Sequence, residues 1–216
     1  MWIKKETGKL SIINCGLSLP PEKQNTMEKR KITLRAGIVT LFILFAALSR
    51  LIPHPANFAP ISAMALFGAA YYDKKYLAFV IPIVAMFLCD LFLNNVIYSS
   101  MFDGFVLFYP GSLFTYLSFI AIAFIGFGLL KKVGIKNLII SSLLASVTFF
   151  LISNFGSWAS GLMPYSKDLA GLILCYAEGL PFLKTGLLGD LFYCGAMFGL
   201  FELAQSRIPA LRRSTV

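Results

Sequence analysis

Residues 27–51 read MEKRKITLRAGIVTLFILFAALSRL, a compact cluster of cations running straight into an almost unbroken apolar stretch. The apolar part, 34–51, approaches the about 20 residues that a helix needs to cross a hydrocarbon core of about 30 Å. A charged lead on one side of such a stretch also carries direction, because Lys and Arg accumulate on the cytoplasmic side of a membrane.

Five further stretches follow, over 58–72, 76–93, 112–130, 138–154 and 182–203. The pattern predicts an all-α membrane protein, a six-transmembrane-helix bundle. Its cations alternate between the two sides. Lys4, Lys5, Lys9, Lys23, Lys29, Arg30, Lys31 and Arg35 precede the first stretch, Lys74 and Lys75 follow the second, Lys131, Lys132 and Lys136 follow the fourth, and Arg207, Arg212 and Arg213 follow the last. The opposite side keeps only Arg50, Lys167 and Lys184. Both termini are therefore expected in the cytoplasm.

Composition agrees: 58% of residues are hydrophobic and 13% charged, whereas soluble domains carry about a quarter charged residues. The formal charge of +9 lies beside apolar spans and forms no basic face with interleaved aromatics. Anionic headgroups of the lipid bilayer are thus the expected partner, and nucleic acid is not. Cys15, Cys89, Cys175 and Cys194 form no CxxC pair, which supports neither a disulfide framework nor a zinc site.

The chain divides into a tail over 1–31, a membrane domain over 32–206 and a basic tail over 207–216. The first segment lacks the apolar core and cleavage site of a signal peptide. With Pro20 and Pro21 and a second methionine at Met27, it reads either as a disordered tail or as an over-extended start.

The second stretch is the least regular. Pro60 suits the first turn of a helix, and Asp73, Lys74 and Lys75 stop it after little more than a dozen residues. The preceding LIPHPANFAPI, 51–61, is expected to dip into the outer leaflet, which requires shielding of its backbone by protein or a watery cavity. Beyond the fifth stretch, DLAGLILCYAEG at 168–179 reads as a short amphipathic helix capped by Asp168, lying along the membrane surface or covering a pocket.

Polar residues within spans carry the functional information, because a charge at the bilayer centre costs about 2.5–3.5 kcal/mol even on a lenient scale. Counting along each span places Arg50, Asp90, Asn154 and Asp190 in the outer half, with His54, Asn57, Asn94, Asn95, Trp158 and Lys184 at similar depth or just above. Their convergence predicts an outward-opening cavity, with Arg50, His54, Asn57, Asp90, Asn94, Asn154, Trp158 and Asp190 as candidate substrate-binding residues. The alternative is structural: Arg50 pairs with Asp90 or Asp190, the asparagines cap helices, His54 packs in its loop and Trp158 anchors the interface. Gly195 and Gly199, and Ala65 and Ala69, have the small-residue spacing of close helix contacts, inside the bundle or with another subunit.

Catalysis finds no motif: there is one histidine and no HExxH, GxSxG or GxxxxGK[ST]. Neither an enzyme nor a resident cofactor or metal is expected, and an intramembrane serine protease built on His54 has no evident serine.

RLIPHPANFAPISAMALFGAAYY at 50–72, SNFGSWASG at 153–161 and LAGLILCYAEGLPFLKTGLLGDLFY at 169–193 resemble an uncharacterised bacterial membrane family of putative transport proteins. The likeness covers residues 35–203. It rests on Arg50, the HPxNFxP segment at 54–60, Asp90, the SNF at 153–155, and Gly189 with Asp190. That family is in turn similar to the substrate-binding S components of energy-coupling factor transporters, six-helix proteins that capture vitamins or other micronutrients. The resemblance implies a multi-pass protein of the bacterial cytoplasmic (inner) membrane that takes up a small-molecule solute, with a membrane scaffold subunit and ATPases as partners. The competing expectation is a non-catalytic interaction subunit of cell-envelope machinery.

Overall fold

A computed structural model describes residues 21–161 and 163–212, all of whose regular elements are helical. Six helices follow one another: α1 (Pro21–Ser49), α2 (Ile61–Tyr71), α3 (Leu77–Phe92), α4 (Ser112–Leu129), α5 (Ile135–Ser160) and α6 (Leu169–Arg207). Five are long and apolar enough to cross a membrane; α2, with 11 residues, is not. Large apolar side chains point outward in helical rows, as with Leu41, Phe45 and Leu48 on α1 and Val80, Val84 and Leu88 on α3. Such rows face lipid, and the chain is a multi-pass membrane protein.

α1 starts at Pro21, so residues 21–31 are continuous with the first long helix; the expected tail before them, with Cys15, lies outside the described residues. At the other end Leu211 is fully buried in a 3₁₀ turn (Pro209–Leu211), and Arg212 donates to the carbonyls of Gln205 and Ser206. The basic segment thus folds back on the bundle; Arg213 is outside the described residues.

The short α2 is the centre of the molecule. It packs on α1, α3, α4, α5 and α6, and every residue from Ser62 to Tyr71 is buried. Its sequence explains this position, since Ala63, Ala65, Gly68, Ala69 and Ala70 let other helices come close. A Cβ on Gly126 of α4 would stand 2.6 Å from the Ala69 Cβ, and one on Gly68 would stand 3.3 Å from the Ala78 Cα of α3. At its C-terminal end Phe67 meets Phe198 and Phe201 edge to face, and Tyr71 packs tilted against Phe201. A helix surrounded by protein need not span the bilayer, which is why 11 residues suffice.

The expected surface helix does not exist as a separate element. Asp168 does cap, accepting from the Gly171 N–H at 2.8 Å, but the helix it starts runs through Pro181 to Arg207, 39 residues in all. At 1.5 Å per residue that is about 58 Å, well beyond the hydrocarbon core. The first turns of α6 pack on the end of α5: Tyr176 Oη donates to the Leu151 carbonyl at 2.7 Å, and the Cys175 thiol faces the Asn154 carbonyl at 3.4 Å. Gly161, at φ +71°, ends α5 with a left-handed residue, as helix C-termini favour.

Candidate functional site

The loop between α1 and α2 organises the site. Pro53 and Pro55 keep it out of helix, and Asn57 turns it with φ +61°, a conformation that asparagine tolerates better than most residues. Its second half lies on α6, where a Cβ on Gly189 would come within 3.0 Å of the Phe58 Cα and 3.3 Å of the Ala59 nitrogen. Phe58 stacks on Phe192 and Tyr193. The second half of the loop is therefore shielded by α6, while residues 52–57 are exposed.

Asp190 follows Gly189 and meets the start of α2. Pro60 supplies no side-chain cap there, and Ser62 presents its hydroxyl and backbone N–H to the carboxylate. Ser146 of α5 contacts the same group, Oγ to Oδ2, at 2.6 Å. Asp190 thus serves the orphan donors of a helix that begins inside the membrane. It sits near the middle of α6, opposite the middle of α5.

Between this loop, the far ends of α3 and α4, and the facing stretches of α5 and α6 lies a cavity of about 440 Å³. Arg50, Asn57 and Asn154 line it, as expected. Tyr109, Thr115, Ser153, Ser157, Tyr165 and Glu178 supply most of the remaining polarity, while Met86, Phe149 and Phe182 give apolar wall. A smaller void of about 40 Å³ adjoins it through Asn57, Phe149, Ser153 and Asn154, with Ser62, Ser146 and Asp190 at its far end. The two together form one polar recess with a buried acid in its floor.

Charge in the recess is arranged in layers. Arg50 Nη1 lies 2.8 Å from Asp90 Oδ1 and 2.7 Å from the Met86 sulfur, so the guanidinium in the wall is already neutralised. Asp90 stands behind it and does not line the cavity. The structural pairing and the wall position hold together for Arg50. At the mouth Tyr165 donates to Glu178 at 2.6 Å, which pushes the phenol up to about 12. Tyr109, half of a 3.1 Å hydroxyl pair with Thr115, is also raised, by burial first and then by the nearby Asp90.

Three candidates lie elsewhere. His54 is exposed, with Nδ1 3.0 Å from the Pro55 carbonyl. Asn94 sits in the π-helical turn (Leu93–Ile97) and lines neither the cavity nor the void. Its neighbour Asn95 clamps the following loop through both hydrogen bonds to Val106, at 2.8 and 2.7 Å. Trp158 fastens the α5–α6 connection: its Nε1 donates to the Ser166 carbonyl at 2.9 Å, and Lys167 donates to its own carbonyl while lying over its ring. Of the residues that sequence reasoning missed, Glu178 had a readable signal, an acid closing the apolar run LAGLILCYA at 169–177. Tyr109, Thr115 and Ser157 had none.

The two small-residue pairs part company. Ala69 packs inside against Gly126, whereas a Cβ on Gly195 or Gly199 would meet nothing within 4 Å. These glycines border a groove of about 460 Å³ between α5 and α6 that also reaches Ser142, Cys194 and Glu202.

Residues 30–211 match a family described as a family of unknown function, DUF6580, and the chain belongs to that family. Neither a curated protein nor a solved structure matches it.

Proposed function

We propose that this protein is a membrane-embedded carrier subunit that binds a small polar solute in the recess between α3, α4, α5 and α6 and takes part in its uptake. The observation that carries the reading is the recess itself. A cavity of about 440 Å³ falls within the usual range for small-molecule sites, about 300–1,000 Å³, and it is lined by hydroxyls, amides and aromatic rings from separate elements. A bundle built only to hold partners has no need of such a hollow.

The chemistry of the lining narrows the solute class. Arg50 is neutralised by Asp90, so it offers hydrogen bonds more than net charge. Glu178 at the mouth adds a carboxylate to the lining, and Asp190 adds a carboxyl group in the floor. A neutral or cationic molecule with several hydroxyl or amide groups and one apolar face matches it best. The likeness to energy-coupling factor S components supports the direction, solute entering from the side opposite the basic end of the bundle. It also supports dependence on a scaffold and ATPases, since the chain has no phosphate loop of its own.

Native mass spectrometry of the purified protein tests this reading. A small molecule that co-purifies with the wild type and is lost from Ser157→Trp, which fills the cavity, is the expected result. A wild-type protein that binds nothing from a metabolite extract, with Ser157→Trp equally stable, would overturn it. The interaction-subunit reading is favoured by one feature, the open groove beside Gly195 and Gly199. It predicts that Gly195→Leu breaks an assembly with another membrane subunit, whereas Ser157→Trp leaves that assembly intact.

A further inference from the structure

Asp190 is 5% exposed and lies in the middle of the bundle, yet among the described residues none of its hydrogen-bond partners is a cation. The two ion pairs among the described residues are Arg35–Asp73 and Arg50–Asp90. Facing Asp190 are Ser62 from α2, Ser146 from α5 and Cys194 from its own helix, with Asn57 and Asn154 across the small void. Among the described residues Cys194 is the other titratable group at the site. An ionised carboxylate without a counter-charge is costly in such surroundings, and helix-end donors offset only part of that cost.

The hydrogen-bond count at Ser146 is decisive. Its Oγ is 3.0 Å from the Ser142 carbonyl and 2.6 Å from Asp190 Oδ2, and both are acceptors if the acid is ionised. A hydroxyl has one hydrogen to give. With the acid protonated both contacts are satisfied: Asp190 donates to Ser146, and Ser146 donates to the Ser142 carbonyl.

The position of this chain of groups matters as much. On one side the void opens towards the solute cavity. On the other, Ser142 and Cys194 border the groove that leads to Glu202 near the basic end, and the Ser142 hydroxyl is fully buried with no conventional hydrogen-bond partner. Asp190, Ser146 and Ser142 thus separate the void from the α5–α6 groove, whose walls include the exposed side chains of Ile135, Ile139 and Leu191.

We propose that Asp190 is a proton-binding site in this partition, and that its exchange of a proton accompanies occupancy of the cavity; the coupling, though not the site, rests on the carrier reading above. On release, the carboxyl O–H bond breaks and the proton passes to water in the void. The carboxylate then takes the Ser146 hydrogen and keeps the Ser62 donors. On uptake the reverse occurs, and the floor of the recess becomes neutral.

Infrared difference spectroscopy of the full chain in lipid nanodiscs, titrated with pH in the absence of solute, reads the site directly. The wild type is expected to show a protonated-carboxyl carbonyl band at neutral pH that disappears on alkalinisation. Asp190→Asn, which mimics the neutral acid, should fold and lose that band. Ser146→Ala should keep the band but move it to the frequency of a less hydrogen-bonded carboxyl, which preserves the test if Asp190→Asn fails to fold. A spectrum with no band sensitive to either substitution would overturn the proposal. So would a thermal stability that rises with sodium at fixed pH in the wild type alone, since the acid would then hold a metal cation. Because no solute is present, either failure leaves the native mass spectrometry result standing by itself.

Discussion

The Arg50–Asp90 pair links stability to the cavity wall. Buried charges tolerate loss of one partner badly, so Asp90→Ala should lower unfolding stability by about 3–5 kcal/mol, whereas replacing both partners by apolar residues should cost far less. Thermal unfolding of Asp90→Ala and of the double variant Arg50→Met with Asp90→Leu checks this. The double variant should remain folded and bind solute poorly, because it keeps the packing and removes the wall's donors. Gly189 makes a second case. A methyl there would press on the Phe58 and Ala59 backbone, which cannot swing aside as a side-chain tip would. Gly189→Ala is expected to displace the loop and weaken solute binding, measured by calorimetry, with the chain still inserted in the membrane.

At the scale of elements, close packing and capping give opposing expectations for similar substitutions. Gly126→Ala forces α4 away from Ala69 and should destabilise by about 1–3 kcal/mol, as overpacking does. Gly195→Ala meets open space and should be neutral or stabilise by about 0.5–1 kcal/mol, because alanine is the better helix former. Chemical or thermal denaturation of both in the same detergent compares them. The start of α6 has its own pH dependence. The Ser166 hydroxyl, then the Gly171 N–H, hold the Asp168 carboxyl below its ordinary range, so its folded-state value is depressed. The cap is therefore complete above the usual carboxylate range and lost as pH falls through that lowered value. Hydrogen exchange at residues 169–172 should accelerate only at that acid end in the wild type and at all pH values in Asp168→Ala.

For the molecule as a whole, orientation decides which recess faces out. The distribution of Lys and Arg predicts that Lys75 faces the cytoplasm and Ser157 the other side. In intact cells Ser157→Cys should react with a membrane-impermeant maleimide and Lys75→Cys only after permeabilisation, read by mass shift; the reverse pattern would invert the direction of transport. Sequence reading reached the membrane class, the Asp168 cap, the interruption of helix over LIPHPANFAPI and the presence of Arg50, Asn57 and Asn154 at one cavity. All of these are written in local terms: a run of apolar residues, a cap, prolines that forbid helix, charges too costly to face lipid. The central place of α2, the fusion of the supposed surface helix with the last span, the meeting of Asp190 with Ser62 and Ser146, and the arrival of Tyr109, Thr115 and Glu178 in one recess were decided by tertiary packing. They depend on which helix surfaces touch, and side chains tens of residues apart share a cavity only after small residues such as Gly126, Ala69 and Gly189 have let the backbones close.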